Sequence, residues 1–239
     1  ILDWVQNPDD KNSGHGFGNL LFANCTSLKS VELPAYITVI PDSVFAGCTS
    51  LTSVVGGNNI TAIGKDSFNK CVSLVDVYFP KVTTIGESSF NSCESLSSIG
   101  ESNFPILETV GKNAFTNCTG LQSVNSDTVT SIDVSAFSSC TGLLTINLPN
   151  CVDVKNSAFA NCTKLKEAII DGGSTCGNSV FSKCTSLVKV KINASDMVIT
   201  PESLFSGCTA LTTIDADLSS ISIVGKSTFS GCSSLKSLS

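Results

Sequence analysis

Apolar residues recur along this chain at a fixed spacing. Phenylalanine stands at positions 22, 45, 68, 90, 115, 137, 159, 181, 205 and 229, each followed by cysteine three residues later and leucine six residues later, so the unit Phe-x-x-Cys-x-x-Leu returns every 22 to 25 residues. From the leucine onward the pattern is Leu-x-x-Val/Ile, as in Leu28-Lys29-Ser30-Val31-Glu32-Leu33 and Leu187-Val188-Lys189-Val190-Lys191-Ile192. Its alternation puts Val31 and Leu33 on one face and Ser30 and Glu32 on the other, which predicts a half-buried strand. A second apolar pair lies eight and five residues before each Phe, for example Ile37/Ile40, Ile60/Ile63, Val82/Ile85, Leu107/Val110 and Val129/Ile132. Between that pair and the Phe sits Gly64, Gly86, Gly111, Gly177 or Gly225, or else Pro41 or Pro201. Gly there permits positive φ and Pro fixes a bend, so the chain reverses once more. Each repeat is therefore one coil of a solenoid.

The 12 cysteines fit the same frame. Ten occupy the motif position, and Cys151 and Cys176 fall on the eight-and-five positions, in place of aliphatic core residues. Side chains stacked in a parallel array keep their Cβ atoms about 4.8 Å apart, beyond the usual disulfide range of about 3.5–4.5 Å, so the column predicts free buried thiols. A Cys151–Cys176 bridge would have to cross between columns and is not expected. No Cys-x-x-Cys pair occurs and His15 is the only histidine, which disfavours zinc.

Charge narrows the partners. The net charge is −6 and all 14 basic residues are lysine, so no guanidinium is present to fork onto phosphates or base edges, and nucleic acid is not an expected partner. No apolar run approaches the roughly 20 residues that cross a bilayer, so no membrane insertion is expected. A Ser-His-Asp arrangement would depend on His15 alone, and the glycines are turn glycines rather than a phosphate-cradling loop. No catalytic residue, metal or cofactor is expected.

At the ends, Leu2-Asp3-Trp4-Val5 fits the strand pattern and Phe17-Gly18 precedes the first motif, so residues 1–21 read as a partial first coil at an N-terminal edge. Trp4 and the stretch from Gln6 to Gly16 would give it a partial cover. Residues 22–239 form the repeats and stop within one, at Leu235 to Ser239. An array without a polar closing coil is expected to be a segment of a longer protein, or to pair its ends with something.

The combination Ile63-Gly64, Phe68, Cys71, Leu74 and Val77 resembles the BspA-like class of leucine-rich repeats, and the resemblance covers almost the whole chain. It implies an α/β-class leucine-rich repeat solenoid: a right-handed array of about ten coils, with one parallel β-sheet along one face and short turns or irregular segments opposite. Ten steps of roughly 4.8 Å make it about 50 Å long. The resemblance also implies a cell-surface or secreted microbial protein, an adhesin-type module contacting host matrix proteins or other cell-surface proteins. The family has no catalytic residues to carry over. The alternative is a structural spacer or filament segment that self-associates end to end through exposed coil edges.

Binding is expected on the outward strand positions, third and fifth counting the motif Leu as first. The residues singled out there are Glu32, Tyr78, Asn125, Asn147, Glu167, Ile169, Lys189, Lys191 and Asp215. Tyr78 is the aromatic among them, and Glu167, Ile169, Lys189 and Lys191, with Asp215 one coil further on, form the nearest thing to a patch. Thr38, Thr61, Thr83 and Thr130 make a second column, which β-branched propensity explains. Five Asn-x-Ser/Thr sequons, at Asn24, Asn59, Asn117, Asn161 and Asn193, match the number that chance supplies in a chain so rich in Asn, Ser and Thr.

Overall fold

The structure, a computed structural model, describes residues 18–172, 175–193, 198–216 and 219–237. The expectations resting on Leu2 to Val5, the Gln6 to Gly16 stretch, His15, Phe17, Leu238 and Ser239 lie outside those residues. We number the coils 1 to 10 by their motif Phe, from Phe22 to Phe229.

Stacked aromatic rings form the spine. Successive motif Phe rings lie 5.1 to 5.9 Å apart between centroids and within 18° of parallel, from Phe22 through Phe229. That spacing is the offset stacking that aromatic pairs favour, repeated once per coil. The motif Leu and Cys beside the rings are fully buried from coil 2 to coil 9.

The strands after the motif Leu pair in parallel, in register. Ser98–Gly100, Ser123–Asn125, Thr145–Leu148, Glu167–Ile170, Lys189–Ile192 and Thr213–Asp215 form a six-stranded sheet across coils 4 to 9, in chain order. Ser30–Glu32 and Ser53–Val55 make a separate two-stranded sheet in coils 1 and 2. The division falls at coil 3, which keeps a single bridge, Ser53 to Asp76. Two extra aromatics, Phe79 and Phe104, are wedged into the core there, 6.1 Å apart and each 6.2 Å from a motif ring. Room for them comes from small neighbours: a Cβ on Gly57 would meet the Phe79 ring at 2.5 Å. Asn103 bridges the gap, its Nδ2 donating to Asp76 Oδ1 and to the Val77 carbonyl.

The opposite side is also laddered. Val39–Ile40, Ala62–Ile63, Thr84–Ile85, Thr109–Val110, Ser131–Ile132, Asp153–Val154 and Thr175–Cys176 form a seven-stranded parallel sheet of two-residue strands. The β-branched residues that mark this segment in sequence are those that fit a pleated, half-buried surface. The column with Thr38, Thr61, Thr83 and Thr130 lies along it, and the Thr61 hydroxyl donates to the Thr38 carbonyl at 3.1 Å.

Between this sheet and the motif cysteine runs a third backbone ladder of one polarity. The N–H groups of Ser135, Phe137 and Ser139 donate to the carbonyls of Asn156, Ala158 and Ala160 on the next coil, at 2.8 to 3.0 Å, and other coils repeat the set. Left-handed residues two before and two after the Phe, here Ser135 at φ 56° and Ser139 at φ 60°, turn these N–H groups toward the same side. Positive φ therefore falls mostly on Ser, Asn, Asp and Lys. It does not fall on Gly64, Gly86, Gly111, Gly177 or Gly225, contrary to the turn reading. Those glycines serve close approach instead: a Cβ on Gly86 would lie 2.5 Å from the Ile63 carbonyl oxygen, and one on Gly111 at 2.5 Å from that of Ile85.

Candidate functional site

The motif cysteines are the most regular chemical groups in the chain, and the structure gives them a structural task. All 12 cysteines are free thiols, nine of them buried. In each coil from 2 to 10 the thiol donates to the carbonyl of the previous coil's Phe, as in Cys48 to Phe22 at 3.0 Å, Cys93 to Phe68 at 3.2 Å and Cys232 to Phe205 at 3.2 Å. The cysteine thus extends the backbone ladder by one rung. Burial pushes the Cys71 and Cys118 thiols up to about 12 and that of Cys93 well above its ordinary value, so the nucleophilic thiolate is suppressed. Cys176, on the second sheet, and Cys151, two residues before the strand Asp153–Val154, are raised to about 12 by the same cause. Among the described residues no group of three or more His, Cys, Asp or Glu is placed to hold a metal ion.

The outward sheet positions divide into two clusters and two isolated residues. In coils 7 to 9, the register sets Glu167 beside Lys189, and Ile169 beside Lys191, which in turn lies beside Asp215. Lys189 Nζ sits 3.5 Å from Glu167 Oε1, while Lys191 pairs with Asp171. That hydrogen bond and charge, with a smaller contribution from Asp215, raise the Lys191 ammonium above its ordinary value. These ion pairs are exposed and screened by solvent, so they add little to stability. Their significance is positional: paired charges of both signs flank Ile169 on a sheet face that no other described element covers.

In coils 5 and 6, Asn125 and Asn147 pair in register, and Asn147 Nδ2 donates to Asn125 Oδ1 at 2.9 Å. Gly100 continues their row on coil 4, with no side chain and a mostly buried backbone. Glu32 and Tyr78 stand apart from both clusters. Glu32 lies on the separate two-stranded sheet beside Val55, and Tyr78, 49% exposed, lies at the division between the sheets.

Residues just beyond the strands were missed by a reading confined to alternation. Asp171 holds Lys191, and Glu101 and Asp127 rim a notch beside Asn125. A signal was present: an acidic residue falls five or six positions after the motif Leu in coils 4, 5 and 7.

No curated protein matches the sequence. Among solved structures, a leucine-rich repeat protein from Bacteroides ovatus is 23% identical, with a TM-score of 0.56, over 93% of this chain and 69% of that one. A leucine-rich repeat protein of T. pallidum is 22% identical, with a TM-score of 0.53, over 78% of this chain and 76% of that one. Both likenesses are of fold, and each rests on the same stacked coils. The family model for the BspA type leucine rich repeat region matches residues 15–125, 98–202 and 169–239. With the Phe, Cys and Leu columns explained as one core and the strands after each Leu as one face, the chain belongs to the BspA-type leucine-rich repeat family.

Proposed function

We propose that the chain is a non-enzymatic protein-binding module, part of a microbial cell-surface or secreted adhesin that contacts host matrix proteins or other cell-surface proteins. The observation that carries this reading is the patch on coils 7 to 9, where Ile169 lies among Glu167, Lys189, Lys191 and Asp215 on a sheet face that no other described element covers. Solvent-exposed charges of both signs steer and register a protein partner more than they add affinity. A rigid array of parallel strands holds them without an ordering cost on binding. No helix of the structure is long and apolar enough to cross a membrane.

The test is binding of the purified chain to immobilised fibronectin, fibrinogen and laminin, followed by Lys189→Glu/Lys191→Glu and by Glu167→Lys. At least one matrix protein is expected to bind, and the double reversal to weaken it about tenfold at low salt, a change of about 1.4 kcal/mol. Circular dichroism of the variants should stay unchanged, because the replaced side chains are exposed. Undiminished binding by the double variant, or no binding to any of the three proteins, would overturn the assignment.

A further inference from the structure

We propose that the notch on the sheet face between coils 4 and 6 is a binding site for a neutral saccharide. Its volume is about 410 Å3, within the range of roughly 300–1,000 Å3 usual for small-molecule sites, and its lining includes Gly100, Glu101, Ser123, Asn125, Asp127 and Asn147.

The notch exists because one side chain is forbidden. Gly100 approaches the next strand so closely that a Cβ would lie 2.3 Å from the Asn125 carbonyl oxygen. The outward row therefore runs Tyr78, Gly100, Asn125, Asn147 with a gap at its second place. It lies at the first strand of the six-stranded sheet, next to the division bridged by Asp76 and Asn103.

The lining has unspent hydrogen-bonding capacity of both kinds. The bond from Asn147 to Asn125 uses one amide hydrogen and one amide oxygen. It leaves the Asn125 nitrogen and the Asn147 oxygen available, together with the hydroxyls of Ser98 and Ser123 and the carboxylates of Glu101 and Asp127. A sugar hydroxyl donates and accepts at once, so neighbouring hydroxyls match amides and carboxylates that alternate along a strand ladder.

Other ligand classes fit worse. A phosphate, sulfate or carboxylate would meet Glu101 and Asp127 with no lysine in the lining to offset them. An aliphatic chain would desolvate seven polar side chains without replacing their bonds to water. Asn147 at the edge of the notch pairs with Ile169 of the docking patch, whereas Lys189 and Lys191 lie two coils beyond Asn147, so reversal of those two lysines separates the two sites.

The experiment is amide-resolved NMR titration of the intact chain with mannotriose, cellotriose and chitotriose, each to about 10 mM, since shallow polar sites bind in the millimolar range. Trilysine and sialyllactose serve as charged comparators. At least one neutral trisaccharide is expected to shift the amides of residues 98–102 and 123–127. The exposed double change Asn125→Ala/Asn147→Ala should weaken that binding about tenfold or more, and Lys189→Glu/Lys191→Glu should leave it unchanged. Added salt should not alter it either, because the ligand carries no charge. The proposal is overturned if no neutral trisaccharide shifts these amides, if the double Asn variant binds as tightly as the native chain, or if trilysine or sialyllactose binds there in preference.

Discussion

Raising the pH should unfold this protein over the range where an unfolded thiol ionises. The cause is the thiol column. Burial holds Cys71 and Cys118 at about 12, against an ordinary value of 9.0 that the unfolded chain recovers. Between those two limits the unfolded state binds fewer protons than the folded one, so stability falls as pH rises, beginning near 9 and ending near 12. At pH 10 the Cys71 and Cys118 thiols each favour unfolding by on the order of 1 kcal/mol, because only the unfolded chain releases their protons. Burial raises the other thiols of the column in the same direction, Cys93, Cys140 and Cys184 among them, so their effects add against the roughly 5–15 kcal/mol that holds a domain folded. Loss of structure should therefore fall between about pH 9 and pH 12. Two signals followed along the same titration would check it: far-ultraviolet circular dichroism for the sheets and absorbance at about 240 nm for thiolate. Apart from the exposed Cys25 and the partly exposed Cys176 and Cys232, thiolate should appear only as the sheet signal is lost, because the buried thiols ionise only in coils that have opened. Thiolate absorbance from more than those three thiols while the sheets remain intact would refute the argument, as would a folded signal that persists above pH 12.

The remaining predictions concern the backbone and the two faces. Gly86→Ala should lower stability by about 2 kcal/mol, because the added Cβ would press on the Ile63 carbonyl. Lys70→Gly, at φ 62°, should leave stability within about 1 kcal/mol, as relief of the left-handed strain offsets the entropy of the new glycine. Thermal melts compare the two. Cys93→Ala removes a rung to Phe68 and leaves a small void, costing about 2 kcal/mol by urea unfolding, whereas the same change at exposed Cys25 should cost well under 1 kcal/mol. On the sheet face, reversal of Lys189 and Lys191 should weaken matrix-protein binding, and loss of Asn125 and Asn147 should weaken trisaccharide binding, each without the other.

The coil, its period and its buried columns were legible in the residues. Phe, Cys and Leu recur at spacings that only a repeated turn of chain can bring together, and Val31 or Val190 alternates with polar neighbours as a strand must. The outward row was legible for the same reason, since a pleat alternates its faces. The polarity of the third ladder was not. Positive φ at Ser135, Ser139 and Lys70 is set by the need to aim N–H groups at the next coil, and no residue type announces that as glycine would.

At the expected turn positions glycine marks proximity rather than conformation, because what Gly86 and Gly111 approach lies on another coil. The paired second sheet and the division at coil 3 were settled the same way, by how neighbouring coils stack around Phe79 and Phe104. Which side chains lie inside follows from periodicity along one chain. Which outward residues meet does not, because the partner of Lys191 at Asp171 and the gap at Gly100 depend on distances between coils that no local pattern records.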